Sequence, residues 1–166
     1  MARDDSADAG REILQRGLYF EEFEPGTRYL HRPGRTITEA DNVLFTTMTM
    51  NTQSLHLDAA WSATQPFGQR LVNSMLTLST MVGSSVAQLT EGTIVANLGV
   101  EKVEFPHPVF HGDTVYSETL VTAKRLSKSR PGQGIVALRH TARNQDGVVV
   151  ATAERSTLVW CRDAQP

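Results

Sequence analysis

The C-terminal half of the sequence contains four long β-forming segments that are separated by short turn sequences. The segments cover residues 93–105, 114–126, 135–143 and 148–161. In the second segment, two different sets of side chains alternate along the chain, as they do in a strand with one buried side. One face carries Val115, Ser117, Thr119 and Val121, and the other carries Tyr116, Glu118, Leu120 and Thr122. Because strands joined by short hairpins must be antiparallel, the sequence predicts an antiparallel sheet. Gly99 predicts either a bulge or a close backbone approach.

A single long apolar stretch precedes these strands. Apolar residues recur around most of a helical wheel over residues 71–89, which predicts one helix that is buried on several sides. A lone apolar helix needs a sheet to cover it, so the predicted class is α+β, with the sheet wrapped around the helix. Further upstream, residues 28–37 predict a strand interrupted near Pro33, Thr38 predicts the N-cap of a short helix, and residues 59–63 predict a helical turn.

Composition narrows the class of protein and its partners. Hydrophobic residues make up 40% and charged residues 20% of the 166 positions, as in an ordinary globular domain. The net charge of −2 and the lack of a strongly basic segment argue against a nucleic-acid partner. No apolar run reaches the length of a membrane span, so no membrane partner is expected. The first residues do not resemble a secretory signal and the single Cys161 has no internal disulfide partner, so we expect a cytoplasmic protein.

Length and segment order predict one domain. Residues 1–16 are polar and are expected to form a flexible tail, residues 17–162 the single domain, and residues 163–166 a frayed tail.

A polar loop lies just before the apolar helix and contains Asn51 and His56. Histidine changes its charge near neutral pH, so His56 is the candidate acid or base. The start of the following helix, at Asn73 and Ser74, offers unpaired backbone N–H groups and a partial positive charge. The sequence therefore predicts a catalytic site where the loop meets the helix N-terminus.

Structural roles are the alternatives for these polar residues. His56 could tie down the loop, and Asn51 could cap a local turn. Asp58 is predicted to cap the next helical turn rather than to act chemically.

Short motifs spread over residues 21–161 resemble the hotdog fold and, within it, the MaoC-like dehydratases and R-specific enoyl-CoA hydratases. These motifs are Phe23-Glu24-Pro25-Gly26, Thr38-Glu39-Ala40-Asp41, Leu55-His56-Leu57-Asp58, Phe67-Gly68, Phe105-Pro106-His107-Pro108-Val109 and Gly112-Asp113, followed by the final hairpin. The resemblance implies a long antiparallel sheet wrapped around one central helix. Since a hotdog unit normally pairs its sheet with another, it also implies a homodimer or a dimer-based oligomer.

The match to the hydratase motif of that family is incomplete. The motif is usually D-x-N-P-x-H, and here His56 matches the histidine while Asn51 stands at the aspartate position. Asn73 and Ser74 stand where the family often has His-Gly at the start of the central helix. These changes keep the polarity but remove one of the two usual acid/base groups. Residues 50–56 resemble the branch of the family that acts on mesaconyl-CoA or itaconyl-CoA.

The resemblance implies a hydratase or dehydratase, a lyase acting on an α,β-unsaturated acyl-CoA thioester with a short branched or dicarboxylic acyl group. His56 would then move protons, Asn51 would orient the water or His56, and N–H groups at Asn73 and Ser74 would stabilise the enolate. No cofactor is expected beyond the coenzyme A carried by the substrate. No metal site is expected either, because no cluster of residues has compact metal-ligand spacing.

Basic residues are candidates for binding the charged groups of such a substrate. A predicted hairpin loop could meet the coenzyme A phosphates, or its cations could simply be solvated; they are Arg125, Lys128 and Arg130. A substrate carboxylate would favour an arginine, and the sequence does not choose among Arg32, Arg35 and Arg70.

Two other functions stay open at this point. A hotdog thioesterase would direct water at the thioester carbonyl, but residues 71–89 contain no Asp or Glu that could serve as its catalytic acid. A non-catalytic subunit that binds acyl-CoA is the second alternative, because Asn51 cannot exchange a proton as aspartate does.

Overall fold

The computed structural model describes residues 11–164, which form a five-stranded antiparallel sheet and five short helices. In chain order the elements are β1 (Arg28–Thr36), α1 (Glu39–Met48), α2 (Ser54–Leu57), α3 (Ala59–Ala63), α4 (Ser74–Gly83), α5 (Val86–Leu89), β2 (Ile94–Glu104), β3 (Thr114–Leu126), β4 (Gln133–Arg143) and β5 (Val149–Trp160). The strand order is β1-β3-β4-β5-β2, so β1 and β2 form the edges of the sheet. The predicted α+β class and the antiparallel strands are confirmed.

Strand register follows the alternation in the sequence. The face of β3 that carries Val115, Ser117, Thr119 and Val121 is buried, because these alternate side chains point toward the helices. The pairing of β2 with β5 shifts between Asn97 and Gly99, which confirms the predicted bulge. The pairing of β1 with β3 shifts between His31 and Arg35, around the predicted interruption at Pro33.

Two predicted helix caps are also confirmed. Thr38 Oγ1 accepts a hydrogen bond from the Asp41 N–H at 3.2 Å, and the Asp41 carboxylate accepts one from the Thr38 N–H at 2.8 Å. Asp58 accepts a hydrogen bond from the Trp61 N–H at 2.9 Å and so caps α3. Each cap satisfies backbone donors that the helix leaves free in its first turn.

The prediction of one continuous helix over residues 71–89 was wrong. Helix α4 begins only at Ser74, because Asn73 is its N-cap, and the helix is interrupted before α5. The hydroxyl groups of Ser84 and Ser85 donate to the carbonyl oxygens of Met81 and Val82 at the interruption. Burial on several sides was also wrong for the single chain, since one side of α4 is exposed.

Two clusters of buried apolar side chains fill the space between the helices and the sheet. The first includes Met81, Val115 and Val150 and lies at the end of the sheet where β3 begins. The second includes Phe20 and Leu138 and lies toward the opposite end. Helices α4 and α5 together pack against both clusters. This packing places the start of α4 at the end of the sheet where the candidate site lies.

The ends of the chain bear on the predicted domain division. Residues 1–10 of the expected tail lie outside the described residues, as do residues 165–166. The Arg16 guanidinium donates to the Glu22 carboxylate at 2.7 Å, and Arg162–Ala164 form a 3-10 turn. The division into tails and domain stays a prediction. Within residues 11–164, none of the helices has the length and apolar character needed to cross a membrane.

Candidate active site

A cavity of about 330 Å³ opens at the end of the sheet where β2 ends and β3 begins. Its wall is formed by α2, the first turn of α4 and the segment that joins β2 to β3. The lining is mostly apolar and includes the polar residues His56, Ser74, Thr77 and His107. Cavities of this size hold small ligands, and a few polar groups in an apolar wall orient them.

His56 has one free ring nitrogen at this cavity. Its side chain is buried, with 9% of the residue exposed, and its Nδ1 lies 3.0 Å from the carbonyl oxygen of Leu71. A carbonyl only accepts, so Nδ1 carries the hydrogen and Nε2 of the neutral ring keeps its lone pair. No group in residues 11–164 is hydrogen bonded to Nε2. The contact with Leu71 therefore ties down the loop and also leaves Nε2 ready to accept a proton.

Asn42 of α1 connects the parts of the site, and the sequence-based reasoning missed it. Its side chain is 0% exposed, and Nδ2 donates to the carbonyl oxygens of His56 and Leu71, both at 3.3 Å. Oδ1 accepts a hydrogen bond from the Asn73 N–H at 2.8 Å. The sequence carries no clear signal for this role, because half of the residues of α1 are polar and one more polar residue does not stand out.

His111 is a further partner of Asn42 Nδ2. Asn42 Nδ2 lies 3.0 Å from His111 Nε2, and an amide N–H only donates, so Nε2 accepts and Nδ1 carries the hydrogen of the neutral ring. Burial lowers the pKa of His111, and the charge of Arg70 lowers it further, while Glu39 raises it. The lowered pKa favours the neutral form of the ring, which this hydrogen bond needs.

The two predicted oxyanion residues differ in what their backbone can offer. The Asn73 N–H is bonded to Asn42, and the Asn73 side-chain oxygen accepts from the Met75 N–H at 3.0 Å. The Ser74 N–H has no hydrogen-bond partner in the part of the chain that the structure describes, and Ser74 lines the cavity. Ser74 thus has a spare backbone donor at the start of α4 and also lines the cavity.

Asn51 lies outside the cavity wall. Its side-chain oxygen accepts a hydrogen bond from the Gln53 N–H at 2.9 Å, which is the predicted local turn contact. Its side chain makes no hydrogen bond to His56. The structure therefore does not bring Asn51 and His56 together within one chain, and the catalytic role of Asn51 stays a prediction.

The predicted phosphate-binding residues are far from the cavity of the same chain. They lie at or beyond the end of β3, and Leu126 pairs with Gly134 at the end of the sheet opposite the cavity. Strand β3 runs for 13 residues from Thr114 to Leu126, which corresponds to roughly 40 Å. Arg125, Lys128 and Arg130 are therefore not brought together with His56.

The three arginines proposed for a substrate carboxylate already have partners. Arg32 stacks on the Tyr116 ring at 5.1 Å, Arg35 pairs with Asp41 at 2.7 Å, and Arg70 pairs with Glu39. Arginine and lysine are absent from the described lining of the cavity. Residues 11–164 also contain no group of three or more His, Cys, Asp or Glu side chains that could hold a metal ion.

Comparison with known proteins identifies the family. Residues 21–144 match the family model described as MaoC like domain. This chain belongs to the MaoC-like family. The motifs around His56 and in residues 105–109 fall inside the matched region.

Two relatives of this MaoC-like chain have names that describe a reaction. A β-methylmalyl-CoA dehydratase of Chloroflexus aurantiacus is 30% identical over 153 residues, which are 89% of this chain and 41% of the relative. An (R)-specific enoyl-CoA hydratase of Aeromonas caviae is 34% identical over 115 residues, which are 69% of this chain and 81% of the relative. The chain spans less than half the length of several curated relatives that it matches.

A solved structure supports the fold of the MaoC-like chain. A protein of Mycobacterium tuberculosis, described as having a double hotdog fold, superposes with a TM-score of 0.79 at 25% identity. The superposition covers 90% of this chain and 46% of the mycobacterial one. The hotdog fold implied by the sequence motifs is therefore confirmed.

Proposed function

We propose that this MaoC-like chain is a hydratase/dehydratase that acts on α,β-unsaturated acyl-CoA thioesters. The observation that carries the proposal is the Nε2 lone pair of His56, which is left free by the Nδ1 contact with Leu71 in a residue that lines the cavity. The spare N–H of Ser74 belongs to the wall of the same cavity. Adding water to an enoyl thioester needs a base for the water and a donor for the thioester oxygen.

In the proposed reaction, His56 Nε2 takes a proton from water as the water oxygen bonds to Cβ. The electron pair of the double bond moves through Cα onto the thioester oxygen, where the Ser74 N–H and the positive end of α4 stabilise the negative charge. Protonation of Cα completes hydration, and dehydration follows the same steps in reverse. Asn51 remains the proposed residue for orienting the water, and the substrate brings its own coenzyme A, with no other cofactor.

The substrate proposed in finer detail is a short branched or dicarboxylic acyl-CoA of the mesaconyl-CoA or itaconyl-CoA type. Support comes from residues 50–56 and from the name of the Chloroflexus relative, which refers to a branched dicarboxylic thioester. The apolar wall around His56 suits a short acyl group.

We further propose that the chain works as a homodimer in the cytoplasm. Large apolar side chains are exposed on and near α1 and α4, which a second copy would cover. They are Leu44, Met48, Met50 and Met75, at 67%, 70%, 87% and 47% exposure. If the two copies run antiparallel, the loop with Arg125, Lys128 and Arg130 of one copy approaches the cavity end of the other. Those cations would then contact the coenzyme A phosphates of the partner's substrate.

The test follows loss of the enoyl-thioester absorbance with mesaconyl-CoA, itaconyl-CoA and crotonyl-CoA, and measures free thiol in the same samples. His56→Ala is expected to lower kcat/KM by about 10²- to 10⁴-fold, the usual contribution of a general acid or base. Thr52→Ala is the control, because Thr52 is an exposed residue of the same loop. It should retain native activity.

Three outcomes would change the conclusion. Release of free thiol would identify a thioesterase. Unchanged hydration by His56→Ala would remove His56 from the chemistry. Binding of acyl-CoA without hydration would indicate the non-catalytic subunit, the alternative that the turn contact of Asn51 supports.

A further inference from the structure

We infer that His107 is the second proton-exchanging residue of this site, acting as the acid when His56 acts as the base. The inference rests on the proposed hydratase function and adds to it a residue to which no role has been assigned. His107 lies in the segment that joins β2 to β3, and this segment forms part of the cavity wall.

The backbone and one hydrogen bond fix the ring of His107. Pro106 and Pro108 on either side restrict the main chain, since each proline has a nearly fixed φ. His107 Nδ1 lies 3.0 Å from the carbonyl oxygen of Val149, the first residue of β5. The ring is exposed at the mouth of the cavity, whereas His56 is buried.

His107 and His56 present the same chemical group to the cavity. Each Nδ1 faces a main-chain carbonyl oxygen, of Val149 in one case and of Leu71 in the other. Because a carbonyl only accepts, each neutral ring carries its hydrogen on Nδ1. Neither Nε2 has a hydrogen-bond partner in residues 11–164. Both nitrogens are therefore free to exchange protons with a bound substrate.

His56 and His107 are also the only ionisable side chains among the described residues that line the cavity. Hydration moves two protons, one from water to a base and one from an acid to Cα. Asn51 cannot exchange a proton, and it lies outside the cavity wall. A second histidine in the wall removes the need for His56 to carry both protons.

Hydration starts with His56 as the neutral imidazole and with His107 as the imidazolium, which carries a second proton on Nε2. The lone pair of His56 Nε2 takes one proton from water, and the water oxygen bonds to Cβ. The π electron pair moves onto the thioester oxygen and returns to form the Cα–H bond with the proton of His107 Nε2. His56 ends as the imidazolium and His107 as the neutral imidazole, and solvent restores both. In dehydration, His107 removes the Cα proton and His56 protonates the leaving hydroxyl group.

The test is the pH dependence of kcat/KM for the full chain and for His107→Gln, with crotonyl-CoA and mesaconyl-CoA. Glutamine keeps an N–H that can donate to Val149, so the segment should stay in place. A base and an acid together give a profile that falls at both ends. The variant should lose about 100-fold on both substrates, and its profile should lose the alkaline limb, because that limb reports the acid. Added imidazole should restore activity to His107→Ala, since the site of His107 is open to solvent.

Other results would overturn the inference. Activity of His107→Gln within threefold of native, with both limbs of the profile intact, would exclude proton transfer by His107. An increase in KM for mesaconyl-CoA alone, with native kinetics on crotonyl-CoA, would assign His107 to binding the second carboxylate instead. A native chain that hydrates no enoyl thioester would overturn the proposed function and this inference with it. Thermal melts of both variants guard against misfolding as the cause of lost activity.

Discussion

Oδ1 of Asn42 lies 2.8 Å from the main-chain nitrogen of Asn73 and accepts its hydrogen bond. This contact joins α1 to the N-cap of α4. Through Nδ2, the same side chain reaches the carbonyl oxygen of His56 and the ring of His111. One buried amide thus sets where the candidate base lies relative to the helix start.

Asn42→Ala should lower the free energy of unfolding by about 3 kcal/mol, because it leaves several buried groups without a hydrogen bond. It should also lower hydration activity, since His56 and the start of α4 lose their common support. Urea unfolding and initial rates measure the two effects. Thr47→Ala in the same helix is the control, because the exposed Thr47 hydroxyl bonds only within α1. A loss below about 1 kcal/mol for Asn42→Ala would show that water replaces the amide and that Asn42 does not organise the site.

The free energy of unfolding should depend on pH, because His140 is buried in the folded chain. His140 is 0% exposed, and its Nδ1 lies 2.8 Å from Thr119 Oγ1, which also contacts His31 Nε2 at 2.7 Å. Burial lowers the pKa of His140 to about 3, and the charges of Arg155 and His31 act in the same direction. The folded-state pKa is below the ordinary value of 6.5. The contribution of neutral His140 is therefore complete above about pH 6.5 and is lost as the pH falls toward 3.

Each such histidine should make the free energy of unfolding fall by about 1.4 kcal/mol per pH unit below that point. His31 and His111, whose pKa values burial also lowers, add to this slope. His140→Gln should flatten the slope by about one histidine's share between pH 6 and pH 5. Urea unfolding at a series of pH values measures it, with the native chain as reference. Equal slopes for the two proteins would mean that His140 becomes protonated in the folded state.

Patterns in neighbouring residues predicted the strands and the helix caps. They did not show where side-chain hydrogen bonds or long-range contacts change the structure. The alternation along β3 and the cap at Thr38 depend on neighbours a few residues away, and both were confirmed. The interruption before α5 was missed, because apolar spacing continues through Ser84 and Ser85 while their hydroxyl groups bond to the backbone. Competition of that kind is invisible to a periodicity argument.

The same distinction applies to the site. His56 was predicted from its residue type and loop. Several hydrogen bonds of Asn42, and the one between His107 and Val149, join residues more than 30 positions apart in the sequence. Only the fold shows these contacts. The predicted oxyanion pair was separated for the same reason, since Asn42 occupies the Asn73 N–H and leaves that of Ser74 free.

Two glycines should respond in opposite directions to alanine. A Cβ on Gly17 would lie 2.4 Å from the main-chain nitrogen of Thr90, and Gly17 also bonds to the Glu91 carbonyl at 2.7 Å. Backbone cannot move aside easily, so Gly17→Ala should cost about 2 kcal/mol or more. A Cβ on Gly83, the last residue of α4, would meet nothing within 4 Å. Gly83→Ala should therefore stabilise by about 0.5–1 kcal/mol. Thermal melts should give a lower melting temperature for Gly17→Ala and a higher one for Gly83→Ala. A shift in the same direction for both variants would refute the assigned contacts.

Ser74→Pro tests the proposed oxyanion donor without removing the helix. Ser74 is the first residue of α4, a position where proline is well tolerated, and its neighbour Asn73 has ψ 125°, which suits a residue before proline. The substitution deletes the N–H that the fold leaves unpaired, and it also removes the Ser74 hydroxyl group. It should lower kcat by about 10²- to 10³-fold while the melting temperature stays near native.

Ser74→Ala is the matched control, because it removes the hydroxyl group and keeps the N–H. If the backbone donor stabilises the enolate, Ser74→Ala should stay within a few-fold of native while Ser74→Pro loses most of its activity. A comparable loss of activity in both variants would assign the role to the Ser74 hydroxyl group, which both variants lack. Native activity in both variants would mean that the enolate charge is stabilised elsewhere in the cavity, and the start of α4 would then serve only to position His56 through Leu71 and Asn42.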